Sequence, residues 1–182
     1  ARDQDRHIAA QVCPIRKNGR VHRRTAAGHR GRGACDPQQR NLRFRKAQLR
    51  SLLTGLKELN EKFESALAQD LGYNAFNTFA FSQAISVNDI ENILQNIDQW
   101  AKPRPADTSL LIGPAFSYVL PEPFGVALVL SAWNYPVYTS VPPVAAAIAA
   151  GNCVILKPSE LAPKTSNVLN ELFSKYLDNS CY

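Results

Sequence analysis

Three polar side chains in the second half of the chain have the types and spacing to do chemistry. Asn134 stands in Trp133-Asn-Tyr-Pro136, and Lys157 and Glu160 stand three apart in Lys157-Pro-Ser-Glu160. An Asn side-chain amide can donate to an oxygen that is gaining negative charge. A Lys and a Glu three apart can grip the hydroxyls of a sugar from two sides. Each also has a plainer use. Asn134 can be a turn residue before Tyr-Pro, Lys157 and Glu160 can be an ion pair on a solvated loop, and Trp133 can be core.

The elements around these residues must bring them together. Residues 125–132 form a short, branched-rich apolar run after Pro123, which suits a strand buried on both faces. Ser140 can cap a following helix whose first turn holds Pro142 and Pro143, where a missing N–H costs little. That helix runs through the Ala-rich stretch to Ala150, with Gly151 as its C-terminal cap. Cys153-Val-Ile-Leu156 is a second buried strand. Strand, helix, strand predicts a βαβ unit with parallel strands and a right-handed crossover. Parallel strands end on one rim, and ligands of open α/β sheets bind outside carboxyl ends of strands. Asn134, Lys157 and Glu160 are therefore expected at one crevice. The Gly-x-Gly-x-x-Gly phosphate fingerprint is absent, so an ordinary Rossmann site is not supported.

Upstream, Leu49, Leu52, Leu53, Leu56, Leu59, Phe63 and Leu67 recur at three- and four-residue steps. They predict one long helix over about 47–69, stopped near Gly72. Phe81, Ile85, Ile90, Ile93, Leu94, Ile97 and Trp100 predict a second over about 78–100. Such stripes belong to a core rather than a site. Lys102-Pro-Arg-Pro105 breaks the pattern. Residues 108–112 and 115–120 read as two strands of a hairpin turned at Gly113-Pro114.

Charge separates the 182-residue chain into two parts. Of 21 Lys and Arg and 15 Asp and Glu, residues 1–40 hold ten and three, a balance of +7, and residues 41–182 hold the remaining eleven and twelve, a balance of −1. The first forty residues contain no Leu, Phe, Tyr or Trp. They are expected to be a disordered basic tail of uncertain origin, because they offer too little apolar surface to offset chain entropy. An Arg/Gly-type RNA contact or a targeting peptide are the other uses of this tail. Cys13, His22, His29 and Cys35 lack the paired spacings of zinc ligands, so no metal is expected. The body, 41–182, has no basic excess for a nucleic acid. No run of about 18 apolar residues predicts a membrane span. The N-terminus has no apolar segment of the secretory type. The sequence contains no Met and starts at Ala1, which predicts a piece of a longer product.

Four stretches occur in order at tight spacing: Pro121-Glu-Pro-Phe-Gly-Val126, Ser131-Ala-Trp-Asn-Tyr-Pro136, Ala145-Ala-Ala-Ile-Ala-Ala-Gly-Asn152 and Leu156-Lys-Pro-Ser-Glu160. With Leu42-Arg-Phe-Arg45 ahead of them, they resemble the aldehyde dehydrogenase superfamily, most closely its class 3 or fatty aldehyde branch, over roughly 41–182. The resemblance implies an α/β fold: N-terminal helices, a β-hairpin arm and the first βαβ unit of an incomplete cofactor-binding domain. It implies NAD- or NADP-dependent oxidation of an aldehyde to a carboxylic acid, with a Cys nucleophile and a Glu base. Asn134 would be the catalytic oxyanion donor. Ser131, Ala132 and Trp133 would line the cofactor cleft, and Lys157 and Glu160 would hold the adenine-side ribose. Tyr135 would border the aldehyde pocket. The hairpin arm would meet a partner subunit in a homodimer, and the compartment would be the cytoplasm.

No Cys in the sequence sits in a nucleophile motif. Cys153 falls in a predicted buried strand, where a thiol is an inert small hydrophobe, and Cys181 falls near the end. The chain alone is therefore expected to be inactive and to aggregate or fold partially. A non-catalytic truncated isoform that pairs with full-length subunits, or an RNA-binding tail on a remnant domain, are the alternatives.

Overall fold

The computed structural model describes residues 42–112 and 114–182. Helix α1 spans Leu42–Glu58 and α2 spans Asn60–Leu71. The single helix expected over 47–69 is thus two, bent at Leu59. The apolar stripe runs unbroken through the bend because Leu59 itself stays buried between Leu56 and Phe63. Backbone bonds continue on both sides, from Leu59 N to Gly55 O and from Phe63 N to Leu59 O. Gly72 ends α2 in the left-handed conformation (φ 68°), as expected.

The second predicted helix also resolves into parts. A first turn, α3 (Ala75–Thr78), is capped by Asn74, whose Oδ1 accepts Asn77 N–H at 2.8 Å. A π-turn, Phe79–Gln83, inserts before α4 (Ala84–Trp100). It carries one extra residue per turn, and Phe79 and Phe81 within it, like Phe76 before it, are exposed.

The hairpin forms from other residues than expected. Arg104–Ala106 (β1) pairs antiparallel with Ser117–Val119 (β2), with Pro105 opposite Tyr118. Leu110–Ile112, expected as strand, is a 3₁₀ turn. Thr108 Oγ1 accepts Ser117 N–H at 2.9 Å and takes the place of a ladder bond. Proline is tolerated in β1 because a two-stranded ribbon is all edge. Gly113, expected at the turn, lies outside the described residues, as do the predicted tail and its Cys and His.

The βαβ unit forms as expected. Val126–Leu130 (β3) and Cys153–Lys157 (β4) are parallel, in register from Val126 opposite Cys153 to Leu130 opposite Lys157. Val141–Ala149 (α5) connects them, and Gly151 turns the chain at φ 92°. Arg45 closes that turn. Its Nη1 donates to Ala149 O at 3.2 Å, and a Cβ on Gly151 would lie 2.5 Å from the guanidinium. Burial holds the Arg45 pKa below the usual guanidinium value.

One expectation for β3 fails. Val126, Leu128 and Leu130 are each more than half exposed. Only the alternate residues, Ala127 and Val129, turn toward α5. An apolar run shows that a strand can be buried on both faces, but burial needs a second layer. Among the described residues the helices cover one face alone.

Helix α6 (Pro163–Tyr176) packs against α1 and α2. A Cβ on Gly55 would lie 2.5 Å from Leu172 Cδ1, so only glycine permits this approach. Asp70 caps α6 from a neighbouring helix, accepting Lys164 N–H at 3.2 Å and Thr165 N–H at 2.7 Å. Its charge also suits a helix N-terminus. The core gathers Leu49, Leu52 and Leu56 of α1, Phe63 of α2, Ile90 of α4, Val141 and Ile148 of α5, and Leu169 of α6. This helical layer holds α5, and α5 holds the sheet.

Candidate functional site

Two loops leave the carboxyl edge of the β3–β4 pair side by side. Ser131 N–H donates to Lys157 O at 3.0 Å, which carries the pairing one step past the strands. The predicted groups therefore share one rim: Ser131, Ala132, Trp133, Asn134 and Tyr135 on the first loop, Lys157 and Glu160 on the second.

The first loop is tied by hydroxyls. Ser140 Oγ lies 2.6 Å from Pro136 O and 2.7 Å from Ser131 Oγ, and Ser131 Oγ lies 2.8 Å from Thr139 Oγ1. Thr139 Oγ1 is also 2.9 Å from Tyr135 O and 3.2 Å from Ala132 O. Ser140 was expected to cap α5 through its side chain, and it does not. The donor to an N-cap serine oxygen would be the second or third N–H of the helix. Those positions are Pro142 and Pro143, which have none, so the hydroxyl turns back into the loop.

A fourth hydroxyl comes from elsewhere in the chain. Tyr73, just past the end of α2, donates its Oη–H to Asn134 O at 2.9 Å. Partial burial, and then the nearby Tyr135, raise the Tyr73 pKa and keep the phenol a donor. Neither Tyr73 nor Thr139 was singled out from sequence. Thr139 lies four residues after Tyr135, a spacing at which Thr bonds back to a carbonyl. Tyr73 lies 61 residues from its partner, and no local pattern announces it.

Trp133, Asn134 and Tyr135 project from the tied loop and are exposed. The Asn134 side-chain amide makes no hydrogen bond among the described residues, so its N–H groups are open to an incoming oxygen. Tyr135 meets Phe81 of the π-turn edge to face, with ring centroids 6.5 Å apart.

The second loop carries Lys157 and Glu160 as a hydrogen-bonded ion pair, both side chains more than half exposed. The Lys157 hydrogen bond, then the backbone N–H of Glu160, then the Lys157 charge hold the Glu160 carboxyl below the usual range. The pair thus places an ammonium with three donors beside an ionised acceptor. A ribose diol both donates and accepts, so this donor set fits one. Cys153 and Cys181 are both buried. Among the described residues no three His, Cys, Asp or Glu cluster to hold a metal, and no helix is long and apolar enough to cross a membrane.

The family model described as "Aldehyde dehydrogenase family" matches residues 23–178. The match begins inside the basic stretch set apart by composition. Mouse aldehyde dehydrogenase family 3 member B2 is 43% identical over 139 residues, which are 76% of this chain and 29% of that protein. Mouse family 3 member A2 is 39% identical over 145 residues, 80% of this chain and 30% of that protein. The chain thus spans about three tenths of the length of these curated relatives. The substrate-bound structure of Staphylococcus aureus AldH superposes with a TM-score of 0.77 at 34% identity, over 79% of this chain and 32% of that one. Succinic semialdehyde dehydrogenase from Streptococcus pyogenes, solved with NADP+, shares the fold with a TM-score of 0.68 at 21% identity, over 77% of this chain and 30% of that one.

Proposed function

Because the chain belongs to the aldehyde dehydrogenase family, we propose that it supplies the oxyanion contact and half of the dinucleotide site for oxidation of an aldehyde to a carboxylic acid. The observation that carries this reading is the parallel register, which brings the loops of Asn134 and of Lys157 and Glu160 to one rim. Lys157 and Glu160 would hold the two hydroxyls of the adenine-side ribose of NAD or NADP. Ser131, Ala132 and Trp133 would line the cleft between the loops. When bound, the nicotinamide of such a cofactor takes up a hydride from the substrate. Asn134 would donate its amide N–H to the carbonyl oxygen as charge builds there, and Tyr135 would flank the aldehyde with Phe81.

The chain's own part is recognition and positioning. Its two described thiols are buried, and burial in apolar surroundings makes a thiol a poor nucleophile. Purified alone, the chain should bind NAD+ or NADP+ and form no NADH from long-chain or aromatic aldehydes. Titration calorimetry with both cofactors tests this. Binding that weakens about tenfold in Lys157→Ala, the loss of one charge-assisted hydrogen bond, supports the site. Absence of binding to the folded chain, or turnover by it, overturns the reading.

A second reading rests on the hairpin. Leu110, Leu111 and Phe116 are almost fully exposed, which favours pairing of this arm with another subunit, in a homodimer or with full-length relatives. Co-purification with an intact subunit, lost in Phe116→Asp, tests it. A cytoplasmic location belongs to the same proposal.

A further inference from the structure

We propose that Tyr73, Ser131, Thr139 and Ser140 form a clamp of hydroxyls that fixes the backbone of residues 132–136 and so aims the Asn134 amide. They are positioning residues, and the inference rests on the oxyanion reading of Asn134. The Asn134 side chain has no hydrogen bond of its own among the described residues. Its position is therefore set only by the backbone that carries it. That backbone makes few bonds with itself: Pro136 has no N–H to give. Its carbonyls are held from outside instead. That of Tyr135 accepts from Thr139, through both its hydroxyl and its backbone N–H, that of Pro136 accepts from Ser140, and that of Asn134 accepts from Tyr73.

The three local hydroxyls form one connected set between the end of β3 and the start of α5. Ser140 Oγ can donate to Pro136 O, Ser131 to Thr139, and Thr139 to Tyr135 O, which uses each proton once. Ser140 is buried and, ahead of two prolines, has no helix N–H to cap. Its hydroxyl is satisfied only within the loop. Tyr73 ties the same loop to the helical layer, so the amide is referred to the core as well as to the sheet. A catalytic hydrogen-bond donor acts through preorganisation, and three consecutive anchored carbonyls, those of Asn134, Tyr135 and Pro136, supply it.

The test uses the whole 182-residue chain in solution by NMR. Tyr73→Phe and Thr139→Val remove one hydroxyl each and keep the shape, whereas Thr139→Ser keeps the hydroxyl. Amide exchange at residues 139–141, whose N–H groups donate to the carbonyls of Tyr135 and Val137, should rise about five- to tenfold in the first two, the loss of one hydrogen bond. The Asn134 backbone amide line should move toward its random-coil value. Thr139→Ser should restore both, and exchange in the β3–β4 ladder should not change. Unchanged loop exchange in both variants, or a ladder that loosens in step with the loop, overturns the clamp. Titration with NAD+ on the same samples keeps the two ideas apart. Failure to bind cofactor refutes the functional reading, while the exchange result decides the clamp by itself.

Discussion

The loops from Ser131 to Ser140 and from Lys157 to Ala162 leave the same sheet edge, yet they are secured by different means. In the first, main-chain carbonyls are anchored by four hydroxyls, two of them from helix starts and ends, and the projecting side chains are untied. In the second, the projecting side chains are tied to each other, and both are open to solvent. The contrast follows the chemistry proposed for each. A donor to a reacting oxygen must stand still, because its contribution depends on geometry fixed beforehand. A pair that grips a sugar must let go of itself first, so a weak exposed bond serves better than a strong buried one.

The largest expected effect comes from breaking what makes the loops comparable, their common edge. Gly151→Ala forces a side chain to φ 92° and into Arg45. The backbone alone should cost roughly 1–3 kcal/mol, read as a fall in Tm, and both loops should lose their shared rim. Next, Ser140→Ala leaves the Pro136 carbonyl without its shortest hydrogen bond. A loss of roughly 1–3 kcal/mol is expected by denaturant unfolding, against a change within about 0.5 kcal/mol for Asn134→Ala, whose side chain is exposed and unbonded. Equal losses in the two would erase the contrast drawn between tied backbone and untied tip.

Smaller still is the effect of acid on the second loop. The Glu160 pKa is depressed in the fold, so its contribution is complete above the ordinary carboxylate pKa and is lost as pH falls through the depressed value. The exposed pair should therefore open only at acid pH, with a slight change in Tm, and Glu160→Gln should remove that slight dependence. A large acid-induced fall that persists in Glu160→Gln would mean that the carboxylate is not its source.

Much of this frame could be read before any coordinates. Gly72 and Gly151 stop their helices where a left-handed residue was expected, and the parallel pair follows from two short apolar runs around an Ala-rich helix. Periodicity could not show the bend at Leu59, because a bend that keeps Leu59 in the core leaves the stripe intact. Nor could it show the π-turn at Phe79–Gln83, which depends on how the helix meets its neighbours. The exposure of Val126, Leu128 and Leu130 depends on what lies across from them, which a strand's own residues do not state. The fate of Ser140 was legible and overlooked: two prolines after it remove the N–H groups a cap requires. Asn134, Lys157 and Glu160 could be placed on one edge from spacing. The hydroxyls that hold Asn134 could not, since Tyr73 enters from another layer.

The closeness of α1 to α6, which only Gly55 allows, also bears on how the molecule is made. Gln48 accepts the N–H of Asp178, 130 residues downstream. A ribosome adding about 5–20 residues per second needs on the order of ten seconds to span that gap. Throughout that interval the face of α1 that meets α6 has no lasting partner, so nascent chains should depend on holding chaperones until α6 emerges.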